Sequence, residues 1–295
     1  MSVHFGHREL DAAASLPDLR DSSPLLSALP ALCHRLLDDG YLLLRGLIRR
    51  ERVIRAREII LEHVAEREAL APGTPVLDGV MPAGARAVAM MGRKGIAHHP
   101  DVLAALEAPE LVAFWEAYFG EPALTFDYKW LRAVGREQFT GAHMDVVYMG
   151  QGSPRLHTTW IPLGDIPVEQ GTLAIVPGSH RAPGYARLRQ TYGRSDVDRD
   201  NTPGWFTDDP LEITETFGGQ WHTADVAMGD VIVFGMHTVH ASTTNTTDRY
   251  RLSCDVRFQP AADPVDPRWG GDNPTGHRAD AQPRPRDEVR AEWGL

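Results

Sequence analysis

The sequence predicts a mainly β core flanked by helices, of the sandwich or barrel kind. Two observations predict it. After Pro122, short runs rich in aliphatic, threonine and aromatic residues recur between turn residues. Before Pro122, apolar residues recur instead at helical spacing. Nothing in the middle of the 295 residues reads as a linker, so one domain of residues 1–295 is expected. It divides into helical support over about 22–120, a β core over about 121–258 with an insertion over about 180–229, and a tail over 259–295.

Taken in order, residues 1–21 are polar and without a clear period. A helix is expected from Ser23, where Pro24 suits the first turn and leucines recur through Leu37 until Gly40 stops it. Tyr41-Leu-Leu-Leu-Arg-Gly46 reads as a buried strand, and about Arg50 to Ala69 as an amphipathic helix. Residues 71–97, rich in Gly, Pro and Met, read as a plain surface loop or as a mobile wall of a site. Helices follow from Asp101 and from Pro109 to Gly120. Strands are expected at about 123–133, 143–149, 156–163, 171–176, 230–235, 238–243 and 251–258. Arg251-Leu-Ser-Cys-Asp-Val-Arg-Phe258 alternates as if one face were buried and the other wetter. The long 180–229 connection reads as functional or mobile rather than as a packed element. The tail from Pro260 is expected to lie over the surface, anchored by Trp269 and Trp293.

An apolar content of 42% with 24% charged residues suits a globular chain able to bury a core. The formal charge of −10 disfavours nucleic acid or an anionic membrane as main partner. No apolar run of membrane length and no signal-peptide pattern is present, and two distant cysteines, Cys33 and Cys254, suit reduced thiols, so a cytoplasmic location is expected. There is no phosphate-cradling glycine motif, no Cys-x-x-Cys pair and no Gly-x-Ser-x-Gly elbow.

The chemistry is sought in Thr140-Gly-Ala-His-Met-Asp-Val-Val-Tyr148. On a strand, His143 and Asp145 leave the same face and can converge on one metal ion. With a third histidine they make the facial triad of non-haem Fe(II) oxygenases, which leaves coordination positions open. His-x-acid alone is weak, since 13 His and 40 acidic residues yield about two such pairs by chance. Three occur; His7-Arg-Glu9 lies in the polar arm, and His99-Pro-Asp101 is better explained by helix capping. His237 and His240 compete for the third position, and three residues apart on a strand they should face opposite ways. On the next strand Arg251, with Arg249 and Arg257 as rivals, could offer a guanidinium to a small dicarboxylate.

These pieces together resemble the phytanoyl-CoA dioxygenase (PhyH-like) family of Fe(II)- and 2-oxoglutarate-dependent oxygenases. The shared pattern runs through Asp39-Gly-Tyr-Leu-Leu-Leu-Arg-Gly46, His143-Met-Asp145, Trp160-Ile-Pro-Leu-Gly-Asp165 and Gly171-Thr-Leu-Ala-Ile-Val-Pro-Gly-Ser-His180. It ends with Gly229-Asp-Val-Ile-Val-Phe234, His240, Ser242 and Arg251, so that it covers about residues 30–258. The resemblance implies a double-stranded β-helix (jelly-roll, cupin-like) core. It implies that His143, Asp145 and His240 bind Fe(II), that Arg251 holds the distal carboxylate of 2-oxoglutarate with help from Ser242, and that Trp160 lines the co-substrate pocket. O2 would be the oxidant, with succinate and CO2 released. Family halogenases replace the carboxylate ligand by a small residue; Asp145 fills that place, which favours hydroxylation.

His180 after its turn is expected to be structural, and His157, on the face opposite Trp160, to point away from the pocket. Tyr148, Arg155, Arg187 and Trp205 are the candidate substrate contacts. The substrate expected is a small metabolite or natural-product intermediate; no basic cluster suggests a CoA ester. The rival readings are a cupin-type metalloenzyme without 2-oxoglutarate, disfavoured because no His-x-His occurs, and a non-catalytic jelly-roll binding protein.

Overall fold

A computed structural model describes residues 2–85, 87–92, 94–270, 274–278 and 282–295. Parts of the expected 71–97 loop (86 and 93) and of the tail (271–273 and 279–281) lie outside the described residues. The polar N-terminal arm forms a hairpin of β1 (Ser2–Phe5) and β2 (Arg8–Asp11), whose alternation buries Val3 and Phe5, followed by a one-turn helix α1 (Ala12–Ser15). The expected helix from Ser23 is split: a 3-10 turn, Ser23–Leu25, precedes α2 (Leu29–Asp39). Pro30 lacks the N–H that a continuous helix needs at that point, so the helix restarts there. Gly40 ends it at φ 78°, and a Cβ on that residue would come within 2.4 Å of the His180 ring.

β3 (Tyr41–Leu44) leads to α3 (Arg50–Ala65), which stops short of the expected Ala69 because Glu68 takes a left-handed conformation at φ 56°. After β4 (Val88–Ala89) come α4 (Pro100–Leu106) and α5 (Pro109–Phe119). The His99 ring accepts the Asp101 N–H, so this His-x-Asp pair is a helix cap.

The expected strand at 123–133 divides into β5 (Ala123–Thr125) and β6 (Trp130–Val134). The expected strand at 143–149 is not one: His143 makes a single bridge, and the chain then turns into α6 (Val146–Met149). The remaining elements are β7 (His157–Pro162), β8 (Leu173–Ile175), α7 (Ala186–Gln190), α8 (Pro210–Phe217), β9 (Val231–Gly235), β10 (His240–Ser242), β11 (Arg251–Pro260) and α9 (Arg286–Trp293).

Two antiparallel sheets face each other in a double-stranded β-helix. The larger runs β3-β9-β7-β11-β6-β4, with β5 also on β11. The smaller pairs β10 with β8 and is widened by bridges from His143 to His240 and from Ile175 to His222. Helices α2 to α5 cover the outer face of the large sheet, where Leu131, Ile161, Val233, Leu252, Cys254 and Val256 meet Val53, Ile60, Leu111 and Trp115. Truncating one such leucine to alanine should cost about 2–5 kcal/mol.

Two expectations about exposure are corrected. β11 does alternate, but all ten of its residues are buried. Leu252, Cys254 and Val256 face the helices, while Arg251, Asp255 and Arg257 line an internal cavity. Its polar face is therefore not wet surface but the floor of a site. The 180–229 insertion is packed rather than loose: Tyr185, Leu188, Tyr192, Phe206, Ile213 and Trp221 form a core against the outer face of the small sheet. In the tail, Trp269 is fully buried and Trp293 is partly buried against that same core. Among the described residues no helix is long and apolar enough to cross a membrane.

Candidate metal centre

The site begins with a backbone pairing. His143 and His240 stand directly opposite each other, each N–H donating to the other's carbonyl at 3.0 Å. In such a pair both side chains leave the same face, and the two ring centroids lie 4.1 Å apart. Each Nδ1 faces a carbonyl two residues back in the chain, Gly141 at 2.8 Å and Thr238 at 3.0 Å. A neutral ring that donates from Nδ1 keeps its lone pair on Nε2, the form a metal binds. Burial, with His240 alongside, pushes the His143 ring down to about 3, so it is neutral at physiological pH.

Asp145 arrives by the turn that replaces the expected strand, with φ −63° and ψ −22° at the start of α6. An aspartate there would ordinarily cap the helix, but its side chain makes no cap bond. Oδ2 instead accepts from the Thr158 hydroxyl and lies 3.2 Å from Arg257 Nη2. Oδ1 is left facing both rings, 3.7 Å from each Nε2. Burial alone would raise this carboxyl, yet the Arg257 guanidinium, with the Thr158 hydroxyl bond, holds it well below the usual carboxylate range. His143, Asp145 and His240 are 8%, 2% and 4% exposed and offer ligand atoms within 4.8 Å of one another. Two imidazoles and one carboxylate, with outer atoms already bonded, suit a divalent transition metal and leave other coordination positions free.

The triad opens into a cavity of about 200 Å³. Arg251 lies on its floor, 2% exposed. One Nη donates to Ser253, while Nε has no partner. Desolvation, with Arg132 nearby, pushes this guanidinium from 12.5 down to about 10, against the pull of Asp255. A buried cation so poorly satisfied is a receptor for an anion. Ser242 Oγ accepts the Thr140 N–H at 2.8 Å, which leaves its own proton to donate, and the Trp160 ring stands 6.0 Å from the Arg251 guanidinium carbon.

Of the expected substrate contacts, Tyr148 and Trp205 line the cavity. Arg155 and Arg187 do not. Arg155 pairs on the surface with Asp263 and Glu121, and exposed Arg187 donates to the Trp293 carbonyl. His237 is exposed on the turn between β9 and β10. His180 bonds the Leu37 carbonyl at 3.0 Å, a structural part. His157 packs against Trp115 and Tyr118, away from the cavity.

Sequence reasoning missed Thr158, Ser253 and Asp255, and weighed Arg257 only as a rival to Arg251. The signal was available. Positions 251, 253, 255 and 257 share one strand face, so a cavity at Arg251 implicates the other three. The tail contribution had no such signal. Arg268 ion-pairs with Asp196, Asp198 and Asp266 and donates to the Tyr148 carbonyl at 2.8 Å. It thereby clamps α6, the 196–198 loop and the tail into one cavity wall. His277, held 3.0 Å from Asp198, completes that wall.

Comparison with known proteins identifies relatives of the chain. The profile of the family described as Phytanoyl-CoA dioxygenase (PhyH) matches residues 36–253. The chain is 29% identical over 260 residues to a 1-deoxypentalenic acid 11-beta-hydroxylase of Streptomyces arenae, covering 83% of this chain and 86% of that one. Among solved structures, the epimerase SnoN in complex with Fe3+, alpha ketoglutarate and nogalamycin RO is 25% identical with a TM-score of 0.55, over 88% of this chain and 96% of that one. EctD from S. alaskensis, with 2-oxoglutarate and 5-hydroxyectoine, is 18% identical with a TM-score of 0.56, over 91% and 87%; that likeness concerns the fold.

Proposed function

Because the chain belongs to the phytanoyl-CoA dioxygenase (PhyH) family, we propose that it is an Fe(II)- and 2-oxoglutarate-dependent oxygenase that hydroxylates a C–H bond of a small metabolite. The observation that carries this reading is the buried convergence of His143, Asp145 and His240 beside the under-satisfied guanidinium of Arg251. His143, Asp145 and His240 would hold the iron, with Thr158 and Arg257 fixing the Asp145 oxygen turned away from the two rings. Arg251, with Ser242 and Trp160 beside it, takes the far carboxylate of 2-oxoglutarate. Iron, 2-oxoglutarate and O2 supply the oxidising power, with succinate and CO2 as by-products. Trp130, Tyr148 and Trp205 wall the cavity and exclude water from the reacting centre.

The whole chain acts as one catalytic unit, since its tail completes the wall around the triad. The named relatives support a small natural-product substrate rather than nucleic acid or a membrane: the streptomycete hydroxylase acts on 1-deoxypentalenic acid and SnoN binds nogalamycin RO. Cys33 and Cys254, both free thiols, fit a cytoplasmic setting.

The test is succinate formation by the iron-loaded protein with 2-oxoglutarate and ascorbate, alongside iron content. Asp145→Ala and His240→Ala should lose both iron and turnover. Consumption of 2-oxoglutarate at the parent rate in either variant would refute the assignment.

A further inference from the structure

The cavity's described lining holds three guanidiniums, Arg132, Arg251 and Arg257, and two carboxylates, Asp145 and Asp255. On the oxygenase reading above, on which this inference rests, doubly charged iron and doubly charged 2-oxoglutarate cancel each other. The loaded cavity then keeps one positive charge.

That charge has an address. From the triad outward the groups form a line: Arg257 lies 3.2 Å from Asp145 and 3.9 Å from Asp255, and Arg132 lies 3.3 Å from the same Asp255 oxygen. Arg132 ends the line, and its side chain is 32% exposed, whereas Arg251 and Arg257 are 2% and 3% exposed. Its two bonds, from Nε and Nη2, both go to one Asp255 oxygen at 3.4 and 3.3 Å. Charge-assisted bonds are usually about 2.7–2.9 Å. Asp255, shared between two guanidiniums, leaves Arg132 with capacity for a second anion. Beside it an open groove of about 490 Å³ shares Met91, Arg132, Thr140 and Trp205 with the cavity and adds Met90, Val134 and Phe139. Phe139 stacks on Trp205 at 6.2 Å, a flat apolar wall.

We propose that the substrate is a monocarboxylic acid with an apolar body, its carboxylate taken by Arg132 and its body laid against Met91, Phe139 and Trp205. The planar guanidinium matches a carboxylate with two parallel N–H donors. The groove is largely apolar, with Glu137, Gln138 and Thr140 as its polar members besides Arg132.

The test titrates the full-length, Fe(II)- and 2-oxoglutarate-loaded protein, without oxygen, with cyclohexylacetic, decanoic and abietic acids and the methyl ester of each. Tryptophan fluorescence reads binding and thermal unfolding checks it. At least one acid should bind about tenfold or more tighter than its ester. Arg132→Gln should remove that preference, Arg132→Lys should keep part of it, and calorimetry should find 2-oxoglutarate affinity within about twofold of the parent. The proposal is overturned if no acid binds, if esters bind as well as acids, if the preference survives in Arg132→Gln, or if that variant weakens 2-oxoglutarate equally. Failure of the parent protein to bind 2-oxoglutarate sinks the oxygenase reading, whereas the acid and ester contrast decides the substrate class on its own.

Discussion

Replacing Arg251 with methionine should move folding and co-substrate binding in opposite directions. The guanidinium is 2% exposed, has Ser253 as its hydrogen-bond partner and is pushed from 12.5 down to about 10, chiefly by desolvation. At about 1.4 kcal/mol per pH unit, the fold disfavours its charged form by about 3 kcal/mol. The sign follows from the direction. At pH 7 the group is charged in the folded and the unfolded chain alike, so the folded state bears the whole penalty, and relief begins only above about pH 10. Methionine removes the charge and keeps much of the volume, at the loss of about 1 kcal/mol for the Ser253 bond. The ligand-free variant should therefore be more stable by about 2 kcal/mol, or about 4 °C in Tm. Its affinity for 2-oxoglutarate should fall by about 2–5 kcal/mol, at least thirtyfold, because a buried anion loses its partner. Thermal unfolding of the metal-loaded protein with and without 2-oxoglutarate reads both effects. A lower ligand-free Tm together with parent-like stabilisation by 2-oxoglutarate would show that Arg251 serves packing and not the keto acid.

Three further outcomes are expected. Thr158→Val frees one oxygen of Asp145 and should weaken iron binding by about 10- to 100-fold with little change in fold, measured by competition with a metal indicator; unchanged affinity would mean that Arg257 alone suffices. His157, packed against Trp115 and Tyr118, is pushed down to about 4 by burial. Its depressed folded value means that stability is intact above pH 6.5 and falls as pH drops toward 4, so His157→Gln should flatten the acid limb of a urea-midpoint profile. At Gly204 a Cβ would come within 1.9 Å of the Tyr148 hydroxyl. Gly204→Ala should displace that ring, cost about 1–3 kcal/mol and impair substrate turnover, while a metal titration gives parent-like iron affinity; loss of iron would show that the wall and the triad are not independent.

Much of this arrangement was legible in the sequence, and the rest was not for identifiable reasons. Helical periodicity placed α2, α3 and α5, and Gly40 and Gly120 marked two of their ends. The alternation of β11 was real, but a period of two says only that two faces differ. It cannot say whether the polar one meets water or an enclosed cavity, so the face that carries Arg251 was read only as the wetter one, and Ser253 and Asp255 beside it were missed. His143 and Asp145 come together as expected, yet not by the expected route. The shared face of a strand would align them, whereas the observed turn at Asp145 swings the carboxylate round to meet both rings. Arg155 and Arg187 illustrate the opposite limit: whether an arginine faces a ligand or a nearby carboxylate depends on contacts across more than a hundred residues, such as Arg155 with Asp263.

The clamp at Arg268 divides the molecule's labour. His143 and His240 pair at the small sheet and Arg251 stands on β11 of the large one, but the wall opposite them is assembled from a short helix, a loop and the tail, bolted together by one guanidinium and its three aspartates. Edits to the loop and tail can reshape what the enzyme recognises while the frame that holds the oxidant stays put. New specificity in such a scaffold is then sought at its far C-terminal end, far along the chain from any metal ligand.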